Sequence, residues 1–218
     1  MIDHVAARRN MVTGQIMTNR VTDERLIDAM TEIPRERFVP HAKRGVAYVD
    51  EDVEIASGRY LMEPMVLARL LQEADITAND MVLDVGCGTG YASAVMARLA
   101  ATVIALDVDE ALAAEAESAL SAVGADNAIV VTGTLAEGYA GQAPYDVILV
   151  GGAVDHLPQA LADQLAEAGR IVGVVREPGG LGQATLWARH RGALSSRSLF
   201  EATLPSLPGI ARPISFEF

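Results

Sequence analysis

The sequence predicts an α/β protein, a mainly parallel doubly wound sheet with a helical extension before it and an antiparallel hairpin closing it. Three observations carry this. From residue 81 onward, short apolar runs alternate with helical stretches, as strands buried on both faces under crossover helices do. One run, Met81-Val-Leu-Asp-Val85, passes through Gly86, Gly88 and Gly90 straight into a helical stretch. The first forty residues carry helical spacing only.

In chain order, Val5, Met11-Val12, Ile16 and Met17 space as an amphipathic helix. Thr22 or Asp23 caps the next, where Leu26, Ile27, Met30 and Ile33 keep helical spacing until Pro34. Residues 41–64 read as irregular, with acids at 50–52 and the run Ser57-Gly58-Arg59-Tyr60. Helical spacing returns over 65–75 through Met65, Leu67-Ala68 and Leu70-Leu71. The extension is placed at 1–75 and the core at 76–218, together one compact domain of 218 residues. Strands are expected at 81–85, 102–107, 128–132, 145–150 and 170–175, with helices at 92–99, 109–123 and 158–167. Asp109 and Glu110 favour the positive end of the second of these helices. Residues 184–190 and 195–199 flank Gly192 as the closing hairpin.

Composition narrows the function classes. Half the residues are apolar and mean hydropathy is +0.23, which excludes general disorder. No apolar run approaches the ~18 residues a membrane span needs, and the N-terminus lacks the apolar stretch of a secretory signal. The one cysteine, Cys87, makes no internal disulfide, and His4, His41 and His190 are scattered without metal spacing. A cytoplasmic enzyme or binding protein is expected, with no metal. The net charge is −12, and residues 61–218 hold 19 acidic against 8 basic side chains. Such a body repels nucleic acid and anionic membrane. Sixteen of the seventeen basic residues are Arg, which reads as codon composition.

The most informative segment is Val82-Leu-Asp-Val-Gly-Cys-Gly-Thr-Gly-Tyr91. Alternate glycines let a ligand approach the backbone at the strand ends, where doubly wound sheets bind cofactors. A dinucleotide would want G-x-G-x-x-G/A, and the third position here falls on Tyr91. The spacing is instead G-x-G-x-G after Asp84, with Asp107 ending the next strand, where a carboxylate can accept both ribose hydroxyls of an adenosine. This combination resembles S-adenosylmethionine (AdoMet) methyltransferases. A cofactor carrying a sulfonium and an ammonium suits an acidic pocket, with Asp84 toward its amino-acid end. The plain alternative, a glycine-rich turn beside two ordinary acids, leaves the register of strand, loop, helix and acid unexplained.

Beyond that core, residues 11–175 resemble the protein-L-isoaspartate O-methyltransferase family. The specific stretches are Val21-Thr-Asp-Glu-Arg25, Ile33-Pro-Arg-Glu-Arg-Phe-Val-Pro40, Gly58 to Pro64, Ala143-Pro-Tyr-Asp-Val-Ile-Leu-Val150 and Leu157-Pro158. The resemblance implies a Rossmann-like fold, AdoMet as cofactor, and methyl transfer to the side-branch carboxylate of isoaspartate in aged proteins. The ester then collapses to a succinimide, which permits repair. The partner implied is a protein or peptide acceptor carrying a carboxylate. The family's Gly-Gln-Thr-Ile-Ser-Gln-Pro run, whose hydroxyls hold substrate, falls on Gly58 to Pro64, so Arg59, Tyr60 and Met62 take the substrate positions. Met62 cannot donate a hydrogen bond. Arg59 can grip a carboxylate bidentately or pair with a surface acid. The cofactor set implied is Asp84, Gly86, Gly88, Gly90, Asp107, Val108, Thr134 and Leu135. The last two lie where the family has a Gly-Asp-Gly turn.

Three readings follow: isoaspartate repair with substitute contacts, an AdoMet enzyme for another acceptor, and a binding or fold-only protein without turnover. An ionised carboxylate needs no general base, so no triad is sought and no catalytic residue is assigned. His156 could serve as a base for another nucleophile, or be a plain loop histidine. Cys87 could be a reactive thiol at a helix N-terminus, or simply a small residue in a tight turn.

Overall fold

The structure, a computed structural model, describes residues 3–176 and 180–210. Helix α1 (His4–Met11) starts at Asp3, whose carboxylate accepts the Ala6 N–H, and continues into a π-helical turn at Val12–Ile16. Helix α2 (Glu24–Glu32) is capped by Asp23 rather than Thr22. Helix α3 is Pro64–Ala74, with Pro in its first turn, where a missing N–H costs nothing. The core follows: β3 (Met81–Val85), α4 (Tyr91–Ala97), β4 (Thr102–Asp107), α5 (Glu110–Ala122), β5 (Ala128–Thr132), β6 (Tyr145–Val154), α6 (Gln159–Asp163), β7 (Leu165–Val175), β8 (Gln183–His190) and β9 (Ala193–Glu201). Ahead of α3 lies a small antiparallel hairpin, β1 (Val53–Ala56) and β2 (Arg59–Leu61).

The seven-stranded sheet runs β5-β4-β3-β6-β7-β8-β9. The first five strands are parallel and the last two antiparallel, as the sequence predicts. The chain leaves β3 to one side for β4 and returns on the other as β6. This reversal opens a crevice at the strand C-termini. β3 lies inside the sheet between β4 and β6, and Val82, Leu83 and Val85 are fully buried. Each such side chain contributes about 1.5–3 kcal/mol to folding.

Two expectations need correction. Residues 41–64 are not wholly irregular, because Val53 and Ile55 face inward across Ser57-Gly58 as the β1–β2 hairpin. The helix expected at 158–167 stops at Asp163. Leu165 instead pairs with Tyr145 as the start of β7, while Gln164 folds back to hydrogen-bond the Ala160 and Glu137 carbonyls.

The extension is tied to the core by Arg35, which is fully buried. It donates to the carbonyls of Ala47 and Met62 at 2.7 Å each and lies 4.8 Å above the Tyr91 ring. At the other end, residues 204–207 dock along β6. Ala153 donates to Pro205, and Leu207 donates back to Ala153.

Candidate active site

After β3 the chain turns through Gly86, Gly88 and Gly90 at φ +81°, +56° and +90°. A residue with a Cβ loses about 1–2 kcal/mol in this region. The turn is held firmly: Gly86 and Cys87 donate to Leu106 at 2.8 and 3.0 Å. Thr89 Oγ1 donates to the Phe38 carbonyl at 2.6 Å, which fixes the turn to the Ile33–Pro40 stretch.

Asp107 ends β4 one strand over and is wholly buried. Its carboxylate accepts four hydrogen bonds, from Gly88 N–H (2.8 Å), Asp109 N–H (3.0 Å), Arg59 Nη1 (2.8 Å) and Arg59 Nη2 (2.6 Å). Arg59 reaches it from β2 and is itself only 8% exposed. The acid Arg59 pairs with is thus a buried one, and the pair has the planar bidentate form that makes such bonds strong. Burial would lower the Arg59 pKa, but the hydrogen bonds and charge of Asp107 outweigh it and raise it.

Asp84, on β3, is also fully buried. Its Oδ2 accepts from Ser93 Oγ at 2.5 Å, and its Oδ1 has no hydrogen-bond partner among the described residues. Burial lifts its pKa to about 7, the Ser93 bonds oppose this, and the charge of Asp107 adds to it. Burial also pushes the Cys87 thiol well up, with Asp84 and Asp107 adding, so it stays protonated and is no reactive thiolate.

Tyr60 and Met62 stand between two small cavities. One, about 20 Å³, is walled by Asp84, Gly86, Cys87, Tyr60 and Met62 among others. The other, about 10 Å³, is walled by Arg59, Tyr60, Met62, Gly151, Gly152 and Ser206 among others. Each has room for about one water. The chain itself fills the crevice: a Cβ added at Gly88 would lie 2.6 Å from Ile55 Cδ1, and one at Gly86 would lie 2.7 Å from Leu207 Cδ2. A larger open groove of about 760 Å³ lies apart, between Arg37, His41 and Arg44 and the outer face of α5.

The remaining expected residues are more dispersed. Gly133 donates to the Asp107 carbonyl at 3.0 Å, which brings the 133–135 turn beside the site. Thr134 and Val108 are exposed, and Leu135 is buried in the core with Leu106. Gly90 caps α4. His156 follows β6 and lines neither small cavity. Among the described residues no His, Cys, Asp or Glu cluster could hold a metal, and no helix is long and apolar enough to cross a membrane. Sequence reasoning missed Ile55, Ser93 and Leu207. Only Ile55 carried a local signal, the Val53/Ile55 alternation ahead of a Ser-Gly turn.

In kind, these groups fit an adenosyl sulfonium. Asp84 offers a buried carboxylate oxygen lacking a partner among the described residues, the glycine turn offers close backbone approach, and Asp107 offers a second buried carboxylate at the end of the next strand. In space, Arg59 now occupies the Asp107 carboxylate, Ile55 sits against Gly88 and Leu207 against Gly86. The glycine geometry is itself testable. Gly88→Ala should destabilise the protein by about 1–2 kcal/mol through backbone strain alone, with more from the Ile55 clash. In urea denaturation, Ile55→Ala should relieve only the second part.

Residues 7–201 match the family described as protein-L-isoaspartate(D-aspartate) O-methyltransferase. A Koribacter versatilis protein-L-isoaspartate O-methyltransferase is 43% identical over 171 residues, 78% of this chain and 77% of that one. The Methylorubrum extorquens enzyme of that name is 36% identical over 212 residues, 95% and 91% of the two chains. A solved protein-L-isoaspartate O-methyltransferase superposes with a TM-score of 0.81 at 24% identity, covering 94% of this chain and 67% of that one. A Plasmodium falciparum beta-aspartate methyltransferase in complex with S-adenosyl-L-homocysteine has a TM-score of 0.80 at 20% identity, covering 96% and 100%. The last two likenesses speak to the fold, while the sequence matches, long and continuous across both the helical extension and the sheet, decide the family: the chain belongs to the protein-L-isoaspartate(D-aspartate) O-methyltransferases.

Proposed function

We propose that the chain is an AdoMet-dependent O-methyltransferase that esterifies the side-branch carboxylate of isoaspartyl residues in damaged cytoplasmic proteins. The observation that carries this is the buried, half-satisfied Asp84 carboxylate facing a cavity whose other wall is the substrate run at residues 60–62.

AdoMet, when bound, supplies a methyl group on a cationic sulfur for in-line displacement by an oxygen nucleophile. The acceptor carboxylate is ionised at neutral pH, so the chain has no proton to remove. Its tasks are orientation and exclusion of water. Asp84 would hold the ammonium end, and Asp107 the ribose hydroxyls. The glycine turn would lie against the cofactor, with Gly88 N–H already fixed on Asp107. Tyr60, 37% exposed, lines both cavities and carries a hydroxyl, and Met62 gives an apolar wall.

A second reading, a different methyl acceptor, is favoured by one observation. Tyr60 and Met62 stand where the family has Thr and Ser. One assay separates the two. With radiolabelled AdoMet, an isoaspartyl peptide should gain base-labile methyl groups while its aspartyl isomer should not. Label confined to other proteins of a cell lysate would favour the second reading. Binding of S-adenosylhomocysteine with no methyl transfer to any acceptor would contradict both.

A further inference from the structure

We propose that Arg59 is a two-position residue: it holds the ribose subsite shut until the methyl donor enters, and its released guanidinium then receives the acceptor carboxylate. This rests on the reading above, that the crevice takes AdoMet.

The argument starts at Asp107. Its two oxygens offer about four lone-pair sites, and all four are taken. Two ribose hydroxyls can bind only if donors leave. Gly88 N–H is fixed by the glycine turn, and Asp109 is the residue that caps α5. Arg59 is the free variable. It sits on a three-residue strand, next to Gly58, which takes φ +69° with open space where a Cβ would be. The same hairpin carries Ile55, the side chain seated over Gly88. One displacement of β1–β2 therefore clears both the ribose position and the face of the turn.

The guanidinium then needs another anion. Arg59 already borders the small cavity shared with Tyr60, Met62 and Ser206, on the side of the substrate run. A carboxylate arriving there meets a planar bidentate donor, the chemistry missing from Met62. The order of binding follows: donor first, acceptor second. Before the donor binds, the residue that would recognise the acceptor is engaged elsewhere.

Calorimetry with S-adenosylhomocysteine and an isoaspartyl peptide tests this. Wild type should bind the peptide only when S-adenosylhomocysteine is present. Arg59→Gln should bind S-adenosylhomocysteine about ten-fold more tightly, and should lose peptide affinity in that complex by about ten-fold, both ordinary values for coupled sites. In wild type, the Arg59 Nε–H resonance, assigned by its through-bond correlations to the Arg59 backbone amide, should shift on S-adenosylhomocysteine binding. That measurement decides alone if the variant does not fold. Equal S-adenosylhomocysteine affinity in the two proteins, peptide affinity untouched by the substitution, or an unmoved resonance in a saturated complex overturns the proposal while leaving the methyltransferase reading standing. Failure of both proteins to bind S-adenosylhomocysteine overturns both.

Discussion

Asp107→Ala is expected to destabilise the ligand-free protein by about 3–5 kcal/mol, the range for removing one partner of a buried ion pair. The substitution strands a guanidinium that is 8% exposed and removes the acceptor for the Gly88 and Asp109 N–H groups. Most of the loss comes from the charge left behind, not from the bond itself. The double variant Asp107→Ala/Arg59→Met should therefore be more stable than the sum of the single changes, with a coupling of about 2–3 kcal/mol. Urea denaturation of the four proteins measures this. Additive losses would mean that the pair does not persist in solution. The exposed pairs set the contrast. Lys43–Glu54 has both side chains more than a third exposed, and breaking it should cost no more than about 1 kcal/mol.

The same energetics bear on function. An arginine gripping Asp107 holds the crevice closed, and sets a threshold that an incoming nucleoside must exceed. Asp107 recovers hydroxyl donors on binding, but these are neutral. The arginine recovers a charged partner only once an acceptor carboxylate is present. Donor and acceptor should thus reinforce each other's binding even where they share no contact, because each offsets half of what breaking the pair costs. The exposed Lys43–Glu54 pair on the same segment cannot couple anything in this way, since water replaces either partner.

How far the site could be read from sequence follows from where each signal lies. Asp84, Gly86, Gly88, Gly90 and Asp107 lie on one strand–turn–helix–strand unit. Local spacing alone fixes their relative placement, because parallel pairing of β3 and β4 sets Val85 beside Leu106 and so brings the glycine turn to Asp107. Arg59 lies 48 residues before its partner. Its charge and its place in the substrate run are legible, but nothing local says which acid it meets. The hairpin that carries it is built from strands of four and three residues, too short for the period-2 pattern to stand out from acidic loop sequence. Leu207 had no signal at all. It reaches Gly86 only because residues 204–207 add to the end of β6 that runs past β3, a pairing made by tertiary structure between distant segments. The overextended helix at 158–167 failed for a related reason. Leu161 and Leu165 keep helical spacing, but burial of Leu165 beside Tyr145 as strand prevails over a short helix of low intrinsic stability.

Asp84→Asn is the other change of large effect, and its sign depends on pH. In the folded protein burial raises the Asp84 pKa to about 7, above the ordinary 3.8 of an unfolded chain. The folded state therefore holds the proton more tightly. Below about pH 4 both states are protonated and the group is neutral in its effect. Between pH 4 and 7 the unfolded state ionises first, and stability falls as pH rises. Above pH 7 the loss is complete, at most about 4 kcal/mol for a shift of this size. Asparagine keeps the shape and the Ser93 contact without the charge. The variant should match wild type near pH 4 and exceed it by about 2–4 kcal/mol above pH 7, read from thermal unfolding across that range. A difference that does not vary with pH would mean that Asp84 is not the titrating group. The gain should come with a loss of binding. An ammonium placed against Asp84 favours the ionised form, so S-adenosylhomocysteine should bind wild type more tightly as pH rises through 7 and bind Asp84→Asn weakly at every pH. A destabilising carboxylate buried and half-satisfied in a cavity wall is a candidate cation site, and pH-independent affinity in wild type would show that the cation lies elsewhere.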